Sequence, residues 1–137
     1  MASFVEKTVQ IARDLMRKSD RIKALEESAK QGDSRAYLLL GNLYFEGKEV
    51  TRDYKQALKW YAKAAEANNP GGQFALAGMY YMGHGMPRDY AEAAKWFGEA
   101  AMRGHAKAQY HLGLLYLAGR GAFEDREEAV KWFTEAA

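Results

Sequence analysis

Trp60, Trp96 and Trp132 stand 36 residues apart, and the phrases around them repeat in phase. Tyr54-Lys-Gln-Ala-Leu-Lys-Trp-Tyr returns as Tyr90-Ala-Glu-Ala-Ala-Lys-Trp-Phe and again as Arg126-Glu-Glu-Ala-Val-Lys-Trp-Phe. A period of this length means an array of small units, none of which can bury its apolar face without a neighbour. At 137 residues the chain has room for about four such units.

Each unit contains two helical stretches. In the first, Ala36/Gly72/Ala108, Leu40/Leu76/Leu112, Gly41/Ala77/Gly113, Leu43/Met79/Leu115 and Tyr44/Tyr80/Tyr116 stay in phase. Their offsets of three and four put most of them on one face, as in an amphipathic helix. Gly47, Gly83 and Gly119 follow as stops. The second stretch opens at Asp53, Asp89 and Asp125, with Gln56, Glu92 and Glu128 three residues on. That spacing predicts an N-cap oxygen and a reciprocating side chain, a capping box. Behind each cap come an alanine, the Trp-aromatic pair and an alanine pair, so large rings alternate with small residues and helices can interdigitate. The tryptophans are therefore expected in the core rather than as an exposed stacking ladder.

The organisation read from this phase is one domain over 1–137: an N-terminal capping helix over 1–19, a degenerate half-repeat over 20–34, and repeats at 35–70, 71–106 and 107–137. In the half-repeat Ile22 matches Leu58 and Ala29 matches Ala65, while Ala24 takes the tryptophan position. Upstream, Phe4, Thr8, Ile11, Ala12 and Leu15 share one face, which predicts a lid over the first repeat. Lys48-Glu49 after Gly47 predicts a looser turn in unit one, and Asn68-Asn69-Pro70 predicts a kink between units one and two.

In this order (leucine, small residue, leucine, tyrosine, glycine, then aspartate, alanine, tryptophan-aromatic and paired alanines) the chain resembles Sel1-like repeat proteins, relatives of tetratricopeptide repeats. The resemblance covers about 20–137, and Leu112-Gly-Leu-Leu-Tyr-Leu-Ala-Gly-Arg-Gly follows the family pattern most fully. It implies an all-α fold, a right-handed α-α superhelical solenoid of antiparallel helix pairs with first helices on the concave side. It also implies a non-catalytic scaffold or adaptor that binds a protein or peptide. An inhibitor or immunity-type regulator that blocks one enzyme is the alternative on the same scaffold, and a hydrolase is a third reading.

Subtracting the in-phase positions leaves a second face on each first helix, matching positions that face the groove in tetratricopeptide relatives. The candidate partner-binding residues there are Arg35, Leu38, Asn42 and Phe45, then Phe74, Tyr81 and Met82, then Lys107, Tyr110 and Leu114. Leu38, Phe74 and Tyr110 are expected to pack between first helices, whereas Asn42, Phe45, Tyr81 and Met82 are expected in the open groove. With Arg35 and Lys107 beside aromatic anchors, an acidic peptide is the expected guest.

No catalytic, cofactor or metal site is expected. Cysteine is absent, and His105 and His111 are six apart, which misses the i, i+4 pairing of a helical metal site. His84, between glycines, is expected to be solvated. Twenty basic against eighteen acidic residues leave a formal +2, too balanced to favour nucleic acid. No apolar run reaches the ~20 residues of a membrane span. The chain is expected to be soluble, cytoplasmic or, if a leader has been removed, periplasmic. Its stop at Ala137, inside a repeat, leaves the apolar edge of unit three uncovered, so self-association through that edge is expected.

Overall fold

The computed structural model describes residues 3–121 and 125–137, with the side chains of Lys18 and Arg126 excepted. Among them are seven helices and no strand: α1 (Phe4–Lys30), α2 (Ser34–Glu46), α3 (Tyr54–Glu66), α4 (Pro70–Met82), α5 (Tyr90–Met102), α6 (Ala106–Ala118) and α7 (Arg126–Ala136). Helices α2 and α3, α4 and α5, and α6 and α7 pack as pairs, and α3 on α4 and α5 on α6 join the pairs into an all-α solenoid. The core is a chain of three clusters that run through these junctions.

Both ends of the repeated helices are fixed as their residues dictate. Gly47, Gly83 and Gly119 close the first helices at φ of 69°, 74° and 66°, a left-handed conformation that strains a Cβ. Asp53, Asp89 and Asp125 cap the second helices by accepting from the backbone N–H groups of Gln56, Glu92 and Glu128. The expected capping box does not close in the repeats. The N–H of each capping aspartate instead donates to the carbonyl of Tyr44, Tyr80 or Tyr116 at 2.9–3.0 Å. That bond ties the two helices of a unit together and leaves the third-position side chain without its usual task. Among the described residues the one complete box is Ser3 with Glu6 at the head of α1.

Within the aromatic pair the roles differ from expectation. Tyr61 and Phe97 are the buried members, at 4% and 3% exposure, whereas Trp60, Trp96 and Trp132 are half-buried at the rim of the clusters. Lys59 and Lys63 lie 5.5 and 5.0 Å from the Trp60 ring, and Lys95 and Lys131 sit similarly on Trp96 and Trp132. Tyr61 lies against Gly41, where an added Cβ would meet its ring. Its hydroxyl donates to Asn42 Oδ1 at 2.7 Å, and burial, with Glu46 nearby, pushes its pKa up to about 12.

The N-terminal reading needs correction. Residues assigned to a capping helix (1–19) and a half-repeat (20–34) share one unbroken helix of 27 residues, α1. Nothing in Arg17-Lys-Ser-Asp20 stops a helix, since neither glycine nor proline interrupts it. Only its C-terminal part reaches the core, through Leu25 and Ala29 against α2. Phe4, Ile11 and Leu15 are exposed, so this segment is no lid.

The expected kink and loose turn are absent as well. Asp33, Asn69 and His105 each donate a backbone N–H to the residue five back at 3.1 Å, so the three junctions close alike. Asn68 takes the left-handed conformation there, at φ 61°, where Gly32 and Gly104 stand in the others. The first turn is held by Arg21 and Glu49 at 2.6 Å. Gly85 and Gly121, in phase with Glu49, instead press against the carbonyls of Tyr54 and Tyr90 at the start of the preceding second helix.

Candidate functional site

The first helices form the floor and one wall of an open groove of about 750 Å³. On α4, Gly71, Ala75 and Gly78 share a face and leave it nearly bare. Leu38, Asn42 and Phe45 come from α2, Phe74 and Met82 from α4, and Lys107 from the start of α6, so six of the ten candidate residues meet here. A Cβ built on Gly78 meets nothing within 4 Å, whereas one on Gly71 would lie 2.9 Å from Leu38.

The other four candidates lie elsewhere. Tyr81 and Leu114 line a smaller hollow of about 270 Å³ beside Arg120. Tyr110 and Leu114, with Lys107 again, line an apolar basin of about 630 Å³ at the edge of unit three, against Phe133, Ala136 and Ala137. Tyr110 is 51% exposed rather than packed between first helices, because no described helix follows α6 and α7 there. Arg35 lies outside all three, with Nε 3.9 Å from Asp33.

Packing separates the remaining expectations. Leu38 and Phe74 are half-buried, as expected of residues between first helices. Phe45 is less open than expected: its ring meets Tyr54, Tyr61 and His84 at 5.4, 6.4 and 5.6 Å. Met82 does stand open, at 56% exposure. His84 is less solvated than expected: it is half-buried, lies 4.6 Å from the Tyr54 ring and lines the groove. The same place one repeat later holds Arg120, over Tyr90 at 5.2 Å and beside the Tyr81 hydroxyl at 3.5 Å. Lys48, Arg120 and His84 are all basic in phase, a signal the sequence carried.

His105 is the other groove residue that sequence reasoning missed. It is the N-cap of α6, and its Nδ1 accepts the Ala108 N–H at 3.2 Å, where Asp33 and Asn69 cap α2 and α4. Its ring stacks on Phe74 at 4.7 Å, and His111 stacks on Phe97 at 5.3 Å. Burial, with Lys107 nearby, holds both imidazoles below the usual 6.5. The fold therefore favours the neutral rings, so their contribution is present above about pH 6.5 and is lost as pH falls through the lowered values. Protonation at Nδ1 also removes the cap, worth about 0.5–2 kcal/mol. Urea unfolding at pH 7.5 and pH 5 is expected to show a stability drop that shrinks in His105→Asn. An equal drop in that variant would place the acid sensitivity elsewhere.

Among the described residues no group of three or more His, Asp or Glu could hold a metal, and no helix is long and apolar enough to cross a membrane. Two buried amides repeat in phase: Gln73 and Gln109 donate to the carbonyls of Ala65 and Ala101 at 3.2 and 3.1 Å, each tying a first helix to the unit before it.

The profile of the Sel1 repeat matches residues 34–69, 70–105 and 106–137. A stretch of 43 residues is 40% identical to the secretory immunoglobulin A-binding protein EsiB of Escherichia coli O6:H1, covering 31% of this chain and 9% of that protein. Among solved structures, a protective antigen of uropathogenic Escherichia coli strains with an SLR fold superposes with a TM-score of 0.81 at 40% identity. That superposition covers 84% of this chain and 25% of the antigen. A Sel1 repeat protein from Oxalobacter formigenes gives 0.78 at 33% identity, covering 85% of this chain and 87% of that one. The chain thus spans only a small part of EsiB and of the antigen.

Proposed function

Since the chain belongs to the Sel1 repeat family, whose members are generally non-enzymatic protein-interaction scaffolds, we propose that it holds a protein or peptide segment in the groove across α2, α4 and α6. The observation that carries this is the bare α4 face, Gly71, Ala75 and Gly78, walled by Leu38, Phe45, Phe74 and Met82. Small residues let a guest backbone come close, and the flanking rings and thioether supply apolar contact. Asn42 adds a side-chain amide to the wall whose oxygen is already engaged by Tyr61.

The charge of the guest is less acidic than the sequence suggested. Arg35 stands outside the groove, and Glu46 lines it as well as Lys107, so apolar rather than acidic side chains are the favoured anchors. The basin at Tyr110, Leu114 and Phe133 lies where α4 and α6 cover the earlier units, and a further helix, from a following repeat or a second copy, fits that place.

Gly78→Leu tests the groove. The new side chain enters open space, so the fold is retained while the floor is filled. Peptides selected on the immobilised wild-type protein from a displayed random library are expected to bind Gly78→Leu about 10-fold or more weakly. Unchanged affinity, with Met82→Glu equally silent, would move binding off this face.

A further inference from the structure

We propose that the projecting half of α1 pairs with the same segment of a second copy, antiparallel, as a two-helix seam. The surface is distinct from the groove and from the edge of unit three. Thr8, Leu15, Ile22 and Ala29 recur every seven residues, and Phe4, Ile11 and Leu25 fall on the companion positions of the same heptads, with Lys18 at the companion position where the two halves meet. The C-terminal half of this stripe is used within the chain, through Leu25 and Ala29 against α2. The N-terminal half continues it into solvent: Phe4 is 85% and Leu15 61% exposed, and Val5, Ile11 and Met16 are exposed beside them. One seam is thus half-occupied.

A second copy fits the vacant half by both spacing and charge. With the helices antiparallel about a two-fold axis between Val9 and Gln10, Phe4 falls opposite Leu15 of the other copy and Thr8 opposite Ile11, each layer occurring twice. The flanking positions then bring Lys7 to Asp14 and Val5 to Ala12, again twice. A parallel pair would set Lys7 against Ala12 and Asp14 against Ser19, with no complementary charge. Asp14 already takes Gln10 at 3.0 Å and Arg17 at 3.3 Å within its own helix, both on Oδ1. An exposed pair of this kind adds little affinity and mainly selects the register.

Length agrees with this arrangement. From Phe4 to Leu15 is about 18 Å of helix. The capped start of the partner helix would end opposite Leu15 and Met16, short of the Arg21–Glu49 pair that marks where the body of the solenoid begins.

The chain has no cysteine, which makes the seam easy to trap. Analytical ultracentrifugation of the full chain is expected to give a concentration-dependent dimer, and Ile11→Asp to weaken it about 100-fold with helical content retained. Lys7→Glu or Asp14→Lys alone is expected to weaken it about 3-fold, and the two together to restore it. Under oxidation, a mixture of Thr8→Cys and Ile11→Cys chains is expected to cross-link to one another, with neither forming a disulfide by itself. A monomer at every concentration, a Thr8→Cys disulfide formed alone, or a charge-swapped double variant as weak as the singles would overturn the proposal. So would a dimer that is lost on Tyr110→Asp instead, since that would place the contact at the far edge.

Discussion

Phe97→Ala is expected to destabilise the protein by about 3–5 kcal/mol, among the largest effects of any single truncation. The ring is 3% exposed, stacks on His111, meets Phe74 at a tilt, and shares its cluster with Ala77, Ala93, Ala100, Ala101, Leu112 and Leu115. The lining is mostly alanine, which has no side-chain freedom with which to fill the void. Because stability in an array is a sum of units and their junctions, the loss falls mainly between units two and three. Urea unfolding followed by the tryptophans is therefore expected to change from one transition to two. A single transition with a loss under about 1 kcal/mol would mean that the cluster is repacked rather than emptied.

Gly72→Leu is the second large effect, expected at about 3 kcal/mol or more. A Cβ at this position would overlap that of Ala64 and lie 2.9 Å from the Ala64 carbonyl carbon and 3.0 Å from the Ala65 nitrogen. Backbone cannot step aside as a side-chain tip can, so α3 and α4 must separate. Six residues along the same helix, Gly78→Leu should be neutral or stabilising by up to about 1 kcal/mol from helix propensity alone. Equal midpoints for the two variants in urea would refute the close approach.

How far the sequence reached differs from element to element. The three copies defined six of the seven helices because caps, stops and small residues recur at one phase. The join of α1 was missed because no glycine or proline stops the helix over Phe4–Lys30, while the repeat phase suggested a boundary. Tryptophan was the conspicuous marker, yet Tyr61 and Phe97 are the sealed rings, while the indoles lie half-buried beside lysines. One pairing was readable and went unread. Only the copy with a tyrosine hydroxyl at 61 carries an amide at 42; Phe97 and Phe133, which have no hydroxyl, face copies with Gly78 and Leu114 at that phase. His84 was expected in solvent and His105 was weighed only for metal spacing, and their places in a turn and at a cap hid that both rings line the groove.

The backward reach of the turns has a consequence for how such a protein can be rearranged. Gly85 and Gly121 each rest on the first carbonyl of the second helix in the pair before them, while Glu49 occupies that phase where no helix begins behind it. Unit one as it stands therefore does not fit behind a second helix that begins at that place. Moved to the middle of the row, its carboxylate would be driven into a main-chain oxygen. Units two and three both carry glycine at that place and can follow any unit, whereas unit one can follow another only with Glu49→Gly.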